Sequence, residues 1–301
     1  PVHPRLGLDA ARIDAIRARV AVPGSLSADA LALMRARVDA SSELDVSAYG
    51  GDPWGYRRTW LARESALLCL IATDPVERRA YAVKSYAALR AIYDGPNIDR
   101  TLTNDSGLSR GMLSLGFGIT YDWCFNDWTL DEQTWVRSKL TEALNAWPSF
   151  SHGNLGNVRA SNWVAVCRGG ELVALIATGD EADTRAARYQ FLKDELLLHL
   201  QNGYSTFGGS QEGNAYLEYG GGFLGAAVRC SETIGDAQLA TAFRTHAFSE
   251  LLLYTHTFQN ENRKFLMQGV DGQGNYCEGW ASLNLAYAPA ALRPAYLWWY
   301  R

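Results

Sequence analysis

The 301-residue chain lacks the features that mark several large classes of protein. It has no run of about 18 or more apolar residues, so no segment of the sequence is a candidate membrane span. It has no large excess of one charge: the formal net charge is −4, which excludes the domain-wide basic excess of a general nucleic-acid-binding protein. The Val/Ile/Thr alternation typical of strands is nearly absent. We therefore expect an all-α fold.

Motifs for metal and phosphate binding are also missing. The five Cys residues include no C-x-x-C pair, and most lie in apolar helical patterns that favour buried thiols. No zinc pattern, phosphate-binding glycine loop or nucleophile elbow is present. Residues 271–275 resemble a calcium loop superficially, but they lack the full ligand alternation and the Glu at position twelve. We therefore predict no metal ion and no cofactor.

Both ends of the chain bear on its completeness. No signal peptide is present, but the first residue is Pro1 rather than Met, so the missing signal decides nothing. Residues 296–300 form an aromatic run, Tyr-Leu-Trp-Trp-Tyr, just before Arg301. An exposed apolar patch of this kind normally marks an interface. We expect that a following domain is missing, rather than that the run packs back onto the helices.

Apolar residues recur with helical periodicity along most of the chain, and capping signals mark where helices begin. Thr129 and Glu132 form a capping box, and Ser27 is the expected cap of a helix that runs to about Asp39. The predicted helices are 9–20, 27–39, 57–73, 76–93, 106–124, 129–146, 161–178, 181–201, 213–232 and 235–256.

These helices form pairs that recur roughly every 45–55 residues, with short and long loops alternating. Shorter repeats of paired helices usually stack into open solenoids, whereas pairs with long, aromatic-rich loops often close into a ring. The predicted fold is therefore an incomplete (α/α) toroid of about five to six helical hairpins. We expect it to form a single domain across residues 1–301.

Polar and aromatic residues open two of the predicted helices. Asn162 and Trp163 begin one of them, and a Gly-rich segment that ends at Tyr216 begins another. Asn162 and Tyr216 lie 54 positions apart, which is room for one helix, a return helix and a loop. The two side chains are therefore expected at the same end of a barrel of helices. Ten Trp and fifteen Tyr favour carbohydrate as the ligand, because aromatic faces stack on sugar rings, although large helical cores also use aromatic residues.

Taken in order, these motifs resemble the helical domain of heparinase II/III-like polysaccharide lyases, whose alginate and heparan-type members share a helical toroid. The resemblance covers roughly residues 55–255. The matching segments are 120–124 (Thr-Tyr-Asp-Trp-Cys), the helix after 130–132, 162–163 (Asn-Trp), 167–170 (Cys-Arg-Gly-Gly), 209–216 (Gly-Ser-Gln-Glu-Gly-Asn-Ala-Tyr) and 219–220 (Tyr-Gly).

The resemblance implies β-elimination on a uronic-acid-containing polysaccharide. Tyr216 takes the position of the Tyr that transfers the proton, and Asn162 that of the residue that binds the substrate carboxylate. The family also uses a His from a β-sandwich domain after the toroid, and this chain ends before such a domain. We expect an acidic polysaccharide or oligosaccharide as partner, with no nucleic acid, and a periplasmic or secreted location.

Five further residues are candidates for substrate binding. A positive charge near Tyr216 would favour loss of its phenol proton, and His152 and Arg159 are the nearest candidates in sequence. Tyr219 is expected in the wall of the cleft, Trp163 follows Asn162 directly, and Glu212 is a candidate to hold a loop amide or orient an arginine.

Other interpretations of the same residues remain open. Asn162 is also a suitable cap for a helix that begins at Trp163, and Tyr216 is suited to packing inside the ring. Glu212 and Glu278 could instead serve as the paired carboxyl groups of a glycoside hydrolase. A non-catalytic glycan-binding toroid is the third alternative.

Overall fold

The computed structural model describes residues 2–42, 59–95, 98, 107–145, 160–204, 214–247 and 285–295, with the backbone alone for 214–218 and 247. The longer elements in these ranges are all helical, which confirms the predicted all-α class. They are α1 (Ala10–Val20), α2 (Leu26–Ala40), α3 (Trp60–Ile71), α4 (Pro75–Tyr93), α5 (Leu108–Cys124), a 3₁₀ turn (Phe125–Asp127), α6 (Leu130–Asn145), α7 (Asn162–Thr178), α8 (Ala186–Asn202), α9 (Asn214–Thr233), α10 (Gln238–Ala242) and a π-helical turn (Phe243–Ala247).

Local hydrogen bonds explain where these helices begin. The predicted capping box forms at α6, where the Thr129 backbone N–H donates to Glu132 and the Glu132 N–H donates to Thr129 Oγ1. The predicted cap at Ser27 is wrong. Ser25 caps α2 instead, because its Oγ accepts the N–H of Ala28 at 3.1 Å.

The largest difference among the predicted helix starts is at α8, which was expected from residue 181 and begins at Ala186. The intervening residues form a turn in which the Arg185 N–H donates to the Asp180 carbonyl oxygen. Arg185 within the turn and Arg137 from α6 both pair with the Asp180 carboxylate, so a charge from another helix helps to fix the turn.

The chain divides into two compact units. The first contains residues 1–149 and 173–186, and the second contains residues 150–172 and 187–301. Helix α7 is continuous and contributes residues to both units. The expectation of a single domain stays a prediction.

In the first unit, buried helices alternate with amphipathic ones. Helices α3 and α5 are largely buried, whereas α4 and α6 bury one face each. The side chain of Thr59, just before α3, occupies the space that a Cβ at Gly116 would need, and Cys69 near the end of α3 lies 3.5 Å from Oδ2 of Asp127, just after the end of α5. These two contacts show that the buried helices α3 and α5 run in the same direction.

The N-terminal segment of the first unit is held by one buried carboxylate. Asp122 on α5 is 1% exposed. Its Oδ1 lies 2.6 Å from His3 Nδ1, and its Oδ2 accepts the backbone N–H groups of Arg5 and Leu6, both at 2.8 Å. Three partners therefore satisfy a charge whose burial alone would be unfavourable.

The second unit has the same alternation. Residues 164–172 of α7 are all buried, and so is most of the described part of α9, whereas α8 buries one face. The contacts between α7 and α9 move in the same direction along both helices. Gly220 contacts Asn162, and further along both helices Phe223 contacts Gly169. The buried helices α7 and α9 therefore run in the same direction, as α3 and α5 do in the first unit.

Candidate functional site

The candidate site begins at the first turn of α7. The Oγ of Ser161 accepts the N–H of Trp163 at 3.3 Å, so Ser161 is the helix cap and Asn162 is the first helical residue. The alternative in which Asn162 itself caps the helix is therefore wrong. Asn162 is 4% exposed and belongs to the buried side of α7.

The first turns of α9 pack directly against Asn162. A Cβ at Gly220 would lie 3.2 Å from the Cβ of Asn162 and 3.3 Å from that of Ala165. Because Gly220 has no side chain, the two helix backbones approach closely at this point. The position of Tyr216 is one helical turn before Gly220 and shares its face, since residues four apart in a helix lie one above the other. The structure therefore brings Asn162 and the backbone of position 216 to the same end of the α7–α9 pair.

Two aromatic residues lie beside this junction. Trp163 and Tyr219 are both half-buried. The Tyr219 ring meets the ring of Phe223 edge-on, with 6.3 Å between the ring centroids. On α9 the positions 219 and 220 are separated by about 100° around the helix axis, and position 216 of the backbone lies between them. An aromatic side chain thus flanks the face of α9 that contacts Asn162, and the role of Tyr219 in the wall of a cleft stays a prediction.

The remaining candidates lie outside the described part of the chain. His152, Arg159 and Glu212 belong to ranges that the structure does not describe, and so does the side chain of Tyr216. Glu278, the second carboxylate of the hydrolase alternative, is also outside these ranges.

A second face of α7 carries a charged cluster that the sequence reasoning did not assign. Glu171 is fully buried and accepts a hydrogen bond from Arg188 Nε at 2.6 Å, and Arg168 is 4% exposed with its guanidinium 5.1 Å from the centre of the Phe191 ring. Burial lowers the pKa of Arg168, although Glu171 partly offsets this effect. An arginine and a glutamate three positions apart in an otherwise apolar helix were the signal that could have found this cluster.

This cluster fixes α8 against α7 and faces away from Asn162. Glu171 pairs with Arg188 while Arg168 pairs with Phe191, so the two helices run in opposite directions. Residues 162 and 168 are separated by about 240° around the α7 axis, which places Arg168 on a different face from Asn162. We therefore interpret Arg168 as a positioning residue for α7 rather than as part of the candidate site.

The opposite end of α9 carries a different polar feature. An open cavity of about 780 Å³ is lined by residues of the 234–246 segment together with Leu197. Its wall includes Asp236, whose Oδ2 accepts hydrogen bonds from Lys193 at 2.8 Å and Tyr189 at 3.1 Å. Because α9 has 20 residues, this cavity is about 30 Å from the first turn of the helix. It is separate from the candidate site.

The sequence ranges that precede α7 and α9 support attention to the first turns of these two helices. Short connections follow the buried helices α3 and α7, at residues 72–74 and 179–185. The ranges 146–159 and 205–213, which hold three of the seven predicted site residues, precede α7 and α9 in the sequence. Loops positioned by a rigid scaffold commonly carry function.

The described ranges contain neither a metal-binding cluster nor a membrane-spanning helix. No group of three or more His, Cys, Asp or Glu residues there is arranged to hold a metal ion. None of the helices there is long and apolar enough to cross a membrane.

Comparison with models of protein families and with curated protein sequences found no match to this chain. The likeness to heparinase II/III-like lyases therefore stays a prediction from the sequence motifs.

Proposed function

We propose that this chain is the helical domain of a polysaccharide lyase that cleaves a uronic-acid-containing glycan by β-elimination. The observation that carries the proposal is the packing of Asn162 against Gly220 of α9, one turn after position 216. An amide and a phenol are the two groups that this reaction needs close together, and the two helices that bear them begin side by side.

The chemistry assigns a separate task to each group. The proton on the carbon next to a uronate carboxylate is barely acidic until the carboxylate charge is neutralised. An amide donor at Asn162 would stabilise the negative charge that develops on this carboxylate as the proton leaves. The phenol of Tyr216, with an ordinary pKa near 10, would take that proton once a nearby positive charge favours its ionised form.

The second half of the reaction completes the electron balance. The electron pair of the broken C–H bond becomes the new carbon–carbon double bond, and the bond to the 4-linked oxygen breaks. That oxygen must take up a proton, which the phenol of Tyr216 would return. One residue would then serve as base and acid in turn.

The architecture that we propose around this site is an (α/α) toroid. Alternation of buried and amphipathic helices occurs in both units, and the buried helices run in the same direction in each described pair. An arrangement of this kind, continued around a ring, would put the long loops before the buried helices at one end. We propose that these loops, with His152, Arg159 and Glu212, complete the substrate cleft.

The hydrolase alternative rests on Glu212 and Glu278, which lie outside the described part of the chain. Glycoside hydrolases need two carboxyl groups on either side of one cleft. Among the described carboxylates that are buried, Glu171 is bonded to Arg188 and Asp122 to His3, as structural ion pairs are. No described pair of carboxylates lies beside Asn162.

The experiment that tests the proposal is absorbance near 235 nm, roughly where a conjugated uronate double bond absorbs, measured across a panel of uronate polysaccharides. Both this chain and its natural full-length protein are assayed. We expect activity to fall about 10²–10⁴-fold in Tyr216→Phe, because a general acid–base group is lost. A loss of about 10²–10³-fold is expected in Asn162→Asp, which keeps the shape but repels the substrate carboxylate.

The matched control is Tyr86→Phe, which removes the same hydroxyl from a half-buried tyrosine of α4 in the first unit and should change activity little. New reducing ends without a rise in absorbance would select a hydrolase instead. Glycan binding without turnover, unchanged in Tyr216→Phe, would select a binding protein. Silence from every polymer with both proteins would refute the proposal.

A further inference from the structure

The open cavity of about 780 Å³ in the second unit is lined by three elements. Leu197 of α8 lines one side, and the turn after α9 contributes residues 234–237. The remaining wall comes from α10 and the π-helical turn, through residues 238, 241, 242, 245 and 246. Cavities of about 300–1,000 Å³ commonly hold small molecules in proteins. The size of this cavity therefore suits a small-molecule ligand.

The helical wall of this cavity is fixed from its other side. Phe243 is fully buried, and its ring centroid lies 5.4 Å from that of Tyr287. Arg244 pairs with Glu232 of α9 at 3.7 Å, and its guanidinium lies 4.7 Å from the centre of the Tyr287 ring. Because this packing holds the wall in place, little ordering of its backbone is needed when a ligand binds.

The carboxylate of Asp236 in the cavity wall is already satisfied by the protein. Its Oδ2 accepts hydrogen bonds from Lys193 at 2.8 Å and Tyr189 at 3.1 Å, and its Oδ1 accepts the backbone N–H of Gln238 at 3.1 Å. Lys193 balances the negative charge of Asp236. This ion pair therefore fixes the turn after α9 and adds no net charge to the cavity.

Three polar side chains of the helical wall are available to a ligand. Gln238 and Thr241 are exposed, His246 is half-buried, and all three line the cavity. Within the described part of the chain, no hydrogen bond joins the Gln238 amide, the Thr241 hydroxyl or the His246 ring to another residue. Amide, hydroxyl and neutral imidazole groups each donate and accept hydrogen bonds. They therefore match the hydroxyl groups of a ligand, which also do both.

The other properties of the lining favour a ligand without charge. Recognition of an anion normally uses an Arg or Lys that is free to pair with it. No described residue of the lining is an Arg or Lys, and the neighbouring Lys193 and Arg244 are each paired with a carboxylate. Leu197 and Ile234 are half-buried and add apolar surface. Hydroxyl groups together with C–H faces are the combination that a neutral sugar presents.

We propose that this cavity binds a neutral mono- or disaccharide through Gln238, Thr241 and His246. The inference goes beyond the proposed lyase activity and does not depend on it. The cavity is about 30 Å from the first turn of α9, and its ligand lacks the carboxylate that β-elimination needs.

The test is ¹H–¹³C NMR spectroscopy of the histidine imidazole groups during titration with neutral sugars. The panel contains glucose, galactose, mannose, maltose and cellobiose at concentrations up to about 10 mM, which detects a Kd of about 1 mM. The chain has five His residues, and the resonance missing from His246→Gln identifies that of His246. We expect at least one sugar to shift the His246 resonance and to leave that of His3, in the first unit, unchanged.

Variants of the wall test which groups bind the sugar. Thr241→Val removes the hydroxyl and keeps the side-chain size, so the Kd of the sugar that binds should rise about 5–10-fold. Gln238→Leu is a second variant at an exposed position, with the same expected loss. The matched control is Thr134→Val, which changes an exposed threonine of α6 in the first unit and should leave the Kd unchanged.

A matched ligand tests the preference for a neutral sugar. Glucuronate, galacturonate and mannuronate carry a carboxylate at C6 in place of the hydroxymethyl group of the neutral sugar. We expect the uronate form of the sugar that binds to have a Kd at least about 10-fold higher, because no cation of the described lining is free to pair with it.

Three results would overturn the inference. The first is a His246 resonance that no sugar of the panel shifts. The second is a Kd that is unchanged in both Thr241→Val and Gln238→Leu, as in the control. The third is a uronate that binds as tightly as its neutral form, which would show that the cavity does not select an uncharged ligand.

Discussion

The close approach of α7 and α9 makes a prediction that three glycines can test. Gly169 and Gly220 lie where these helices touch, whereas Gly222, on the exposed side of α9, has no atom within 4 Å of the position of a Cβ. Each Gly→Ala change inside a helix should gain about 0.5–1 kcal/mol, because alanine loses less backbone entropy on folding. This gain is common to the three variants, so differences between them report contacts alone.

The contact geometry ranks the three variants. In Gly169→Ala the new methyl group would lie 2.9 Å from the backbone oxygen of Phe223, which can move only if the helix moves. Overpacking of this kind costs about 1–3 kcal/mol. In Gly220→Ala the neighbours at 3.2 and 3.3 Å are the Cβ atoms of Asn162 and Ala165, and a shift of a few tenths of an ångström relieves the contact. We expect Gly222→Ala to be the most stable, Gly220→Ala intermediate and Gly169→Ala the least stable.

Urea unfolding followed by circular dichroism at 222 nm measures these differences. Gly222→Ala should exceed Gly169→Ala by about 1–3 kcal/mol, since the helix-propensity gain cancels in the comparison. Equal stability of these two variants would refute the close packing of α7 on α9. Gly220→Ala adds a link to function: if Asn162 binds substrate, this variant should lose more activity than its small change in stability explains.

Two further predictions concern charges outside the candidate site. Asp122→Ala should lower the free energy of unfolding by about 3 kcal/mol, which is less than three separate charge-assisted bonds would give, because the released N-terminal segment becomes hydrated. The control in the same urea assay is Asp183→Ala, which changes an exposed carboxylate. A loss below about 1 kcal/mol in Asp122→Ala would contradict the role of this carboxylate in holding the N-terminal segment. Burial tends to raise the pKa of Asp236, but the hydrogen bond from Lys193 and those from its other donors lower it below the ordinary Asp value. This carboxylate therefore contributes stability above the unfolded pKa of about 3.9, which is lost as the pH falls through the lower folded pKa. Melting temperatures between pH 6 and pH 2 should show this loss in the wild type and a shallower one in Asp236→Asn, and identical profiles would contradict it.

The sequence predicted most helices well because their signals are local. A capping box such as Thr129 with Glu132 involves residues three apart, and its hydrogen bonds form wherever the helix lies. The error at Ser27 has an equally local cause, since two serines stand two positions apart and either fits the composition of a cap. Ser25 directly follows Gly24, whose φ of +71° favours glycine and ends the preceding turn.

Features fixed by distant residues were less accessible. The start of α8 depends on Asp180, which pairs with Arg137 from a helix more than forty positions earlier. The partners of Asp122 lie at the N-terminus, 116 or more positions away. Neither interaction leaves a pattern in the neighbouring sequence, because helix periodicity reports which face is apolar and not which charge will meet it.

Helix α7 shows how local and distant information combine at the candidate site. Its sequence carries an amide at Asn162 and a charged pair at Arg168 and Glu171, and helical geometry alone puts these on different faces. Only the packing shows that α9 takes the first face and α8 takes the second. The buried pairing with α8 sets the rotation of α7 about its axis, and that rotation is what turns Asn162 towards α9. Glu171 lies on the face of α7 that contacts α8 and not on the face that carries Asn162. A change at Glu171 should therefore disturb the alignment of Asn162 with position 216 without altering either of these two residues.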